Sequence, residues 1–301
     1  MGATGGAECY FCGAPDPQRT HANLYHPFKP DHGPFEFHQC HACGSGLTIS
    51  PPSQERLAAL YASYRDGLPD LHREIMSDDP QFELYELCAK RMIAAAPRLQ
   101  GASWIDVGAG GGELSRILSG LIPDGKGLAV DLHARPGSLS AYPQVEWIQA
   151  DINDPAFADG VDRRADFVIS TAVWEHVVRP DLYARNLIRL LKPGGVLYLM
   201  CPNYGSFARH ALGRRWPYFT PGEHLNMPTL RGASACLDRA WAMVHATGPK
   251  PAVVSRRLAL PYSLRYVFRR FGIDAIGRML PPGLGFPLPS GALESVLKAP
   301  A

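Results

Sequence analysis

The run Trp104-Ile105-Asp106-Val107-Gly108-Ala109-Gly110-Gly111-Gly112-Glu113 constrains the fold more than any other stretch of this chain. A short apolar segment breaks into a loop that is glycine at every position but one, and residues 114–118 continue with the apolar spacing of a helix. Glycine lets the backbone turn sharply and lets a ligand lie against it without side-chain obstruction. A strand that feeds a helix through such a loop needs parallel neighbours, and the sequence supplies them. Apolar runs recur at 127–130, 145–148, 167–170 and 196–200, separated by helix-like stretches. This alternation predicts an α/β fold, a parallel sheet with helices on both faces.

Glycine loops of this kind also hold dinucleotides, and the surrounding acids separate the alternatives. Asp106 lies two residues before the first glycine, where it would repel a pyrophosphate. A carboxylate there suits a cation. Asp131 closes the second strand, where an acid can accept the ribose hydroxyls. After the third strand, Asp151 offers an acceptor for an adenine amine and Ile152 an apolar surface for its ring. Ser170 ends the fourth strand. Glu175-His176-Val177 follows at the carboxyl edge of the sheet, where ligands bind in open α/β folds. S-Adenosylmethionine, which carries an ammonium and a sulfonium and no phosphate, meets these conditions.

The glycine loop with Asp106, together with Asp131, Asp151-Ile152, Glu175-His176-Val177 and Lys192-Pro193-Gly194-Gly195, resembles class I S-adenosylmethionine-dependent methyltransferases. The likeness is to the ubiquinone- and sugar-type small-molecule group and covers residues 103 to about 202. It implies a Rossmann-like seven-stranded methyltransferase sheet whose last strand is reversed. It also implies cofactor roles. Gly108, Gly110 and Gly112 lie under the methionine part with Asp106 beside them, Asp131 holds the ribose, Asp151 and Ile152 meet the adenine, and Ser170 joins the set. The donor is thereby identified and the acceptor is left open.

Residues 1–50 are rich in Cys, His, Pro and Gly and carry few aliphatic side chains, so they need a staple to fold. Cys9-x-x-Cys12-Gly13 and Cys40-x-x-Cys43-Gly44 form two matching knuckles. Two thiolates per knuckle can face one ion, and two knuckles complete a tetrahedral structural zinc site with no position left for water. A redox pair would be expected beside a βαβ pattern, which the segment lacks. Similar zinc ribbons precede the catalytic domain in some bacterial small-molecule methyltransferases. Three parts are therefore expected: a zinc ribbon at 1–50, a helical lid or linker at 51–100, and a methyltransferase domain at 101–301. Substrate-binding insertions are expected at about 203–235 and 255–285. In the lid, Tyr61 and Tyr64 either face the pocket or form the buried stripe of a helix over 54–64.

No basic patch followed by an apolar run opens the chain, and no stretch is long and apolar enough to span a membrane, so a cytoplasmic protein is expected. A formal charge of +2 does not by itself call for nucleic acid, and residues 1–50 are not strongly basic. The acceptor side has three candidates. His224, with Glu223 orienting it, matches an acid–histidine dyad of the sugar-modifying relatives and would serve as general base; it could equally pack a loop. His176 stands beside the expected methyl group or shapes the cofactor site, and Trp216 could wall a pocket. The basic, aromatic segment 265–271 is either a solvated helix face or a phosphate contact. The leading expectation is O- or C-methylation of a sugar-like or secondary-metabolite small molecule. The alternatives are a zinc-ribbon RNA methyltransferase, against which the composition argues, and a non-catalytic cofactor-binding partner protein.

Overall fold

The computed structural model describes residues 8–15, 18–25, 33–48, 51–53, 55–57, 80–95, 99–216, 218–263, 279 and 285–301. Strands β1 (Gln18–Leu24), β2 (Phe35–Gln39) and β3 (Gly46–Thr48) make an antiparallel meander. Helix α1 (Pro80–Ala94) precedes the expected alternation. It runs through β4 (Ser103–Val107), α2 (Glu113–Leu121), β5 (Lys126–Asp131), β6 (Val145–Gln149), β7 (Ala165–Thr171), α3 (Pro180–Arg189) and β8 (Leu191–Pro202). Then come α4 (Phe207–Leu212), β9 (Asn226–Met227), α5 (Leu230–Val244), β10 (Ala252–Ser263) and β11 (Gly285–Lys298).

Seven strands form the main sheet in the order β10-β11-β8-β7-β4-β5-β6. Strands β4 to β8 pair in parallel, while β11 runs antiparallel to both β8 and β10. The five apolar runs all fall within these strands, and the last strand is the reversed one. In β4, β5, β7 and β8 the side chains of these runs are buried on both faces, which is why they read as continuous rather than alternating; β6, at the sheet edge, exposes Glu146. Along β4 successive residues point to opposite sides. Ile105 and Val107 join Leu128, Val130, Val168, Leu197 and Leu199 against α3 and α5. Trp104 joins Ala129, Phe167, Ile169 and Tyr198 against α1 and α2.

A buried acid ties α1 to the reversed strand. Glu294 is inaccessible, yet it accepts from Arg91 Nε and from Tyr198 Oη at 2.7 and 2.8 Å and pairs with Arg256. Burial pushes its carboxyl up, but the hydrogen bonds from Arg91, Tyr198 and Arg256 win and hold it below the usual range. Helix α3 stops at Arg189. Strand β8 already begins at Leu191, because Leu191 pairs with Ala165 ahead of an irregularity in the β7–β8 register.

The meander does not stand apart. Strand β3 pairs with β9, so the small sheet runs β1-β2-β3-β9, and the Thr48 amide donates to the Leu225 carbonyl at 2.7 Å. Leu24, Phe35 and Phe37 share a core with Tyr204, Trp216, Phe219 and Met227. Tyr61 and Tyr64, for which the sequence leaves a lid or a buried helix stripe open, and the segment 265–271 lie outside the described residues.

Candidate active site

The strand order reverses beside β4, which opens a crevice at the carboxyl ends of β4 and β7. There Gly108, Gly110 and Gly112 have φ of 76°, 55° and 77°, the left-handed region in which other residues are strained. A Cβ on Gly108 would lie 2.3 Å from Val173 Cγ2, so the loop after β7 packs directly against the glycine loop. A Cβ on Gly110 would meet nothing within 4 Å, which leaves that side of the loop open to a ligand.

Asp106 is buried at the foot of the loop and accepts from Ser115 Oγ at 2.9 Å. Burial pushes its carboxyl up to about 7, the Ser115 hydrogen bond opposes the rise, and the neighbouring charges of Glu113 and Asp131 add to it. Asp131 Oδ2 accepts from the Gly110 amide at 2.9 Å, and Oδ1 accepts from the His133 amide at 2.9 Å with its ring Nδ1 at the same distance. Asp151 turns back to accept from the Asn153 amide at 2.9 Å, and Ile152 packs half-buried on the core. Ser170 is buried, its hydroxyl 2.8 Å from Tyr183 Oη.

Sequence reasoning passed over three neighbours. The Glu113 carboxylate lies over the glycine loop, since a Cβ on Gly111 would be 2.2 Å from its Oε1. Leu132, directly after Asp131, is 43% exposed and offers an apolar surface there. His133 clamps Asp131. The available signals were an acid in the first turn of a helix and an apolar residue just past a strand-ending acid. Both patterns are common enough elsewhere to be overlooked.

The second group hangs from the segment after β7. Ala172 there adopts φ 54°, an uncommon conformation for a side-chain-bearing residue and of the kind that gathers at functional sites. His176 Nδ1 lies 3.1 Å from the Glu223 carbonyl, and His224 Nδ1 lies 2.6 Å from the Tyr218 carbonyl. A carbonyl only accepts, so in both rings Nδ1 carries the hydrogen and Nε2 the lone pair. The rings meet edge to face with centroids 4.7 Å apart. Glu223 Oε1 stands 3.9 Å from His224 Nε2, so the group that orients His224 at hydrogen-bond length is the Tyr218 carbonyl. Glu175, buried behind them, has an oxygen 4.0 Å from His176 Nε2. Burial raises the Glu175 carboxyl to about 8, with Glu223 adding. Burial likewise lowers His176 to about 4, with His224 lowering it further. Trp216 is buried between Tyr204 and Tyr218 and walls this region from within.

The four cysteines of the knuckles converge. Cys9 Sγ is 3.7 Å from Cys43 Sγ and Cys12 Sγ is 3.6 Å from Cys40 Sγ, with all four sulfurs within 4.8 Å of one another. A zinc ion about 2.3 Å from each sulfur of a tetrahedron spaces them by about 3.8 Å, and a disulfide would need about 2.0 Å. The residues fit zinc. Each knuckle closes the same way. Gly13 donates to Cys9 O at 2.7 Å and Gly44 to Cys40 O at 2.8 Å, both glycines at φ 76°.

This centre is bolted to the second group. Phe11 packs edge-on to Trp174 at 5.7 Å, next to Glu175, and Arg179 lies 4.7 Å over the Tyr10 ring. Gly46 and Leu47 pair with Met227 and Asn226. Leu225 and Asn226 in turn donate to the Glu175 carbonyl at 2.7 and 3.0 Å. Thr229 caps α5 by accepting from the Gly232 amide and donates to the Cys43 carbonyl at 2.6 Å.

A seven-stranded sheet in this order, with its last strand reversed and an acid-flanked glycine loop at the switch point, defines the class I methyltransferase fold. A family model described as a methyltransferase domain matches residues 80–240, and the chain belongs to that family. Trans-aconitate 2-methyltransferase of Azoarcus sp. (strain BH72) is 31% identical over 131 residues, which cover 43% of this chain and 50% of that protein. Ubiquinone biosynthesis O-methyltransferase of Xanthomonas campestris pv. campestris (strain B100) is 35% identical over 135 residues, 42% of this chain and 55% of that protein. The chain thus spans about half the length of the curated relatives it matches. Among solved structures, a complex between the Haloferax volcanii Trm112 methyltransferase activator and a methyltransferase superposes with a TM-score of 0.51 at 18% identity, covering 84% of this chain and 100% of the other. The [4+2]-cyclase SpnF superposes at 0.50 and 17% identity, covering 84% of this chain and 98% of that one. Both likenesses speak for the fold. No helix of the described residues is long and apolar enough to cross a membrane.

Proposed function

We propose that the chain transfers a methyl group from S-adenosylmethionine to oxygen or carbon of a small, sugar-like or secondary-metabolite acceptor. The observation that carries this reading is the convergence of Asp106, Glu113 and Asp131 on one glycine loop. Three carboxylates around a backbone cradle repel a pyrophosphate and attract a cationic nucleoside. The open side of Gly110 and the apolar face of Leu132 fit the rest of such a ligand. When bound, S-adenosylmethionine supplies a methyl group on a positively charged sulfur.

The protein's residues do the remainder. Asp131 exchanges its hold on His133 for the ribose hydroxyls, Asp151 and Ile152 meet the adenine, and Asp106 balances the ammonium. Val173, packed on Gly108, sets the spacing between donor and acceptor sides, and an in-line displacement depends on that spacing. His224 takes the acceptor proton at Nε2, the nitrogen left basic by the Tyr218 carbonyl, while Glu223 favours the charged imidazole from 3.9 Å. Half-buried His176 remains neutral and borders the acceptor. The zinc ribbon is structural. Of the two insertions assigned to the acceptor, 203–235 contributes His224, and 255–285 lies in large part outside the described residues. The small-molecule assignment draws support from the trans-aconitate and ubiquinone-precursor relatives.

Calorimetry with S-adenosylhomocysteine tests the donor side. Asp131→Ala should weaken binding about 10- to 100-fold, the value of a hydrogen-bonded charged group; unchanged affinity would remove the cofactor map. Screening acceptors with labelled donor then reads the second half of the proposal.

A further inference from the structure

We propose that Glu175, His176 and His224 form a second metal site, distinct from the cysteine quartet, that binds a divalent ion of borderline softness such as zinc, cobalt or nickel. A carboxylate oxygen of Glu175 and a ring nitrogen of each histidine lie within 4.8 Å of one another. Two further observations turn this proximity into a ligand set. Both histidines direct Nδ1–H at a backbone carbonyl, Glu223 O at 3.1 Å and Tyr218 O at 2.6 Å, which is the outer-shell contact that fixes Nε2 as a ligating lone pair. In addition, the Glu175 side chain is only 2% exposed, and its Oε2 has no hydrogen-bond partner. Buried polar oxygens are almost always paired, and an unpaired one calls for an ion or a water. Two imidazoles and one carboxylate match the donor preference of such ions and leave coordination positions open. Ligands about 2.1 Å from a tetrahedral ion stand about 3.4 Å apart, so the three side chains, now within 4.8 Å of one another, draw closer when an ion binds.

The ion takes the lone pair that His224 needs as a base, so loading silences turnover. That consequence rests on the proposed base role; ion binding does not. The test is titration of the full zinc-loaded chain with cobalt. Cobalt at this site gives visible d–d bands without the thiolate-to-cobalt charge transfer that a cysteine site would add. Glu175→Gln and, independently, His176→Gln should weaken cobalt binding by roughly tenfold or more, with S-adenosylhomocysteine binding kept as the check of folding. Cobalt that binds only with thiolate charge transfer, or that binds both variants as tightly as the parent chain, overturns the site. Cobalt bands with turnover unaffected uphold the site and remove His224 as the base.

Discussion

Asp106 illustrates how a single buried carboxyl sets conditions for the whole crevice. Its ordinary value of 3.8 is raised to about 7 by burial, with Glu113 and Asp131 contributing. A carboxyl shifted upward favours the folded state when protonated. The contribution is therefore fully present below about 4 and is lost as pH rises through about 7. A cationic ligand reverses the preference by favouring the carboxylate. Binding of S-adenosylmethionine should accordingly release a proton below pH 7 and tighten as pH rises toward 8. Calorimetry in buffers of different ionisation enthalpy reads the proton directly, and Asp106→Asn should abolish it. At the acceptor side, His224→Ala should retain cofactor affinity and lose roughly 100-fold or more in kcat, the range of general-base catalysis. Full turnover in that variant would mean another group takes the proton. These residue-level readings were largely visible in the sequence, because acids at strand ends carry their meaning in their position. What the sequence concealed was Glu113 and Glu175. An acid in a first helical turn, or one before a histidine, shows its burial only once the chain is folded.

Among the elements, the informative one is β9, two residues long. It joins the knuckle-bearing meander to the loop that carries His224, while Phe11 braces Trp174 on the other side of Glu175. Both histidine segments are thus held by the ribbon, whereas the glycine loop is held by β4, β5 and α2. Removing zinc should therefore separate two properties: S-adenosylhomocysteine still binds within a few-fold, and methyl transfer to any accepted substrate collapses. Equal loss of both would show that the ribbon supports the donor side as well. Phe11→Ala should act in the same direction without touching the ion, at a cost of about 3–5 kcal/mol for an emptied aromatic site. Strands β4 to β8 of the main sheet were legible as apolar runs, whereas β10 and β11 were not read as strands from the sequence. The β3–β9 pairing was not legible either. Two short polar-flanked segments far apart in the chain carry no periodicity that links them.

At the scale of the whole molecule, the cysteine quartet belongs to the same core as the sheet. Cys9, Phe11, Cys40, Cys43 and Leu47 pack in one cluster with Ile105, Val107, Leu199, Ala233 and Leu237. Heat should consequently unfold the ribbon and the sheet in one transition, and a chelator should lower the midpoint of that single transition. A calorimetric trace with an early, separate ribbon peak would contradict a shared core. Cysteine spacing predicted a stapled segment and the alternation of apolar runs an α/β sheet, and both are present, but neither pattern reveals that they share a core. Strand β9 begins two residues after His224, with no hinge between them. Any change in the tilt of the meander is handed through β9 to the imidazole, so a substitution far away in the first fifty residues is felt at His224.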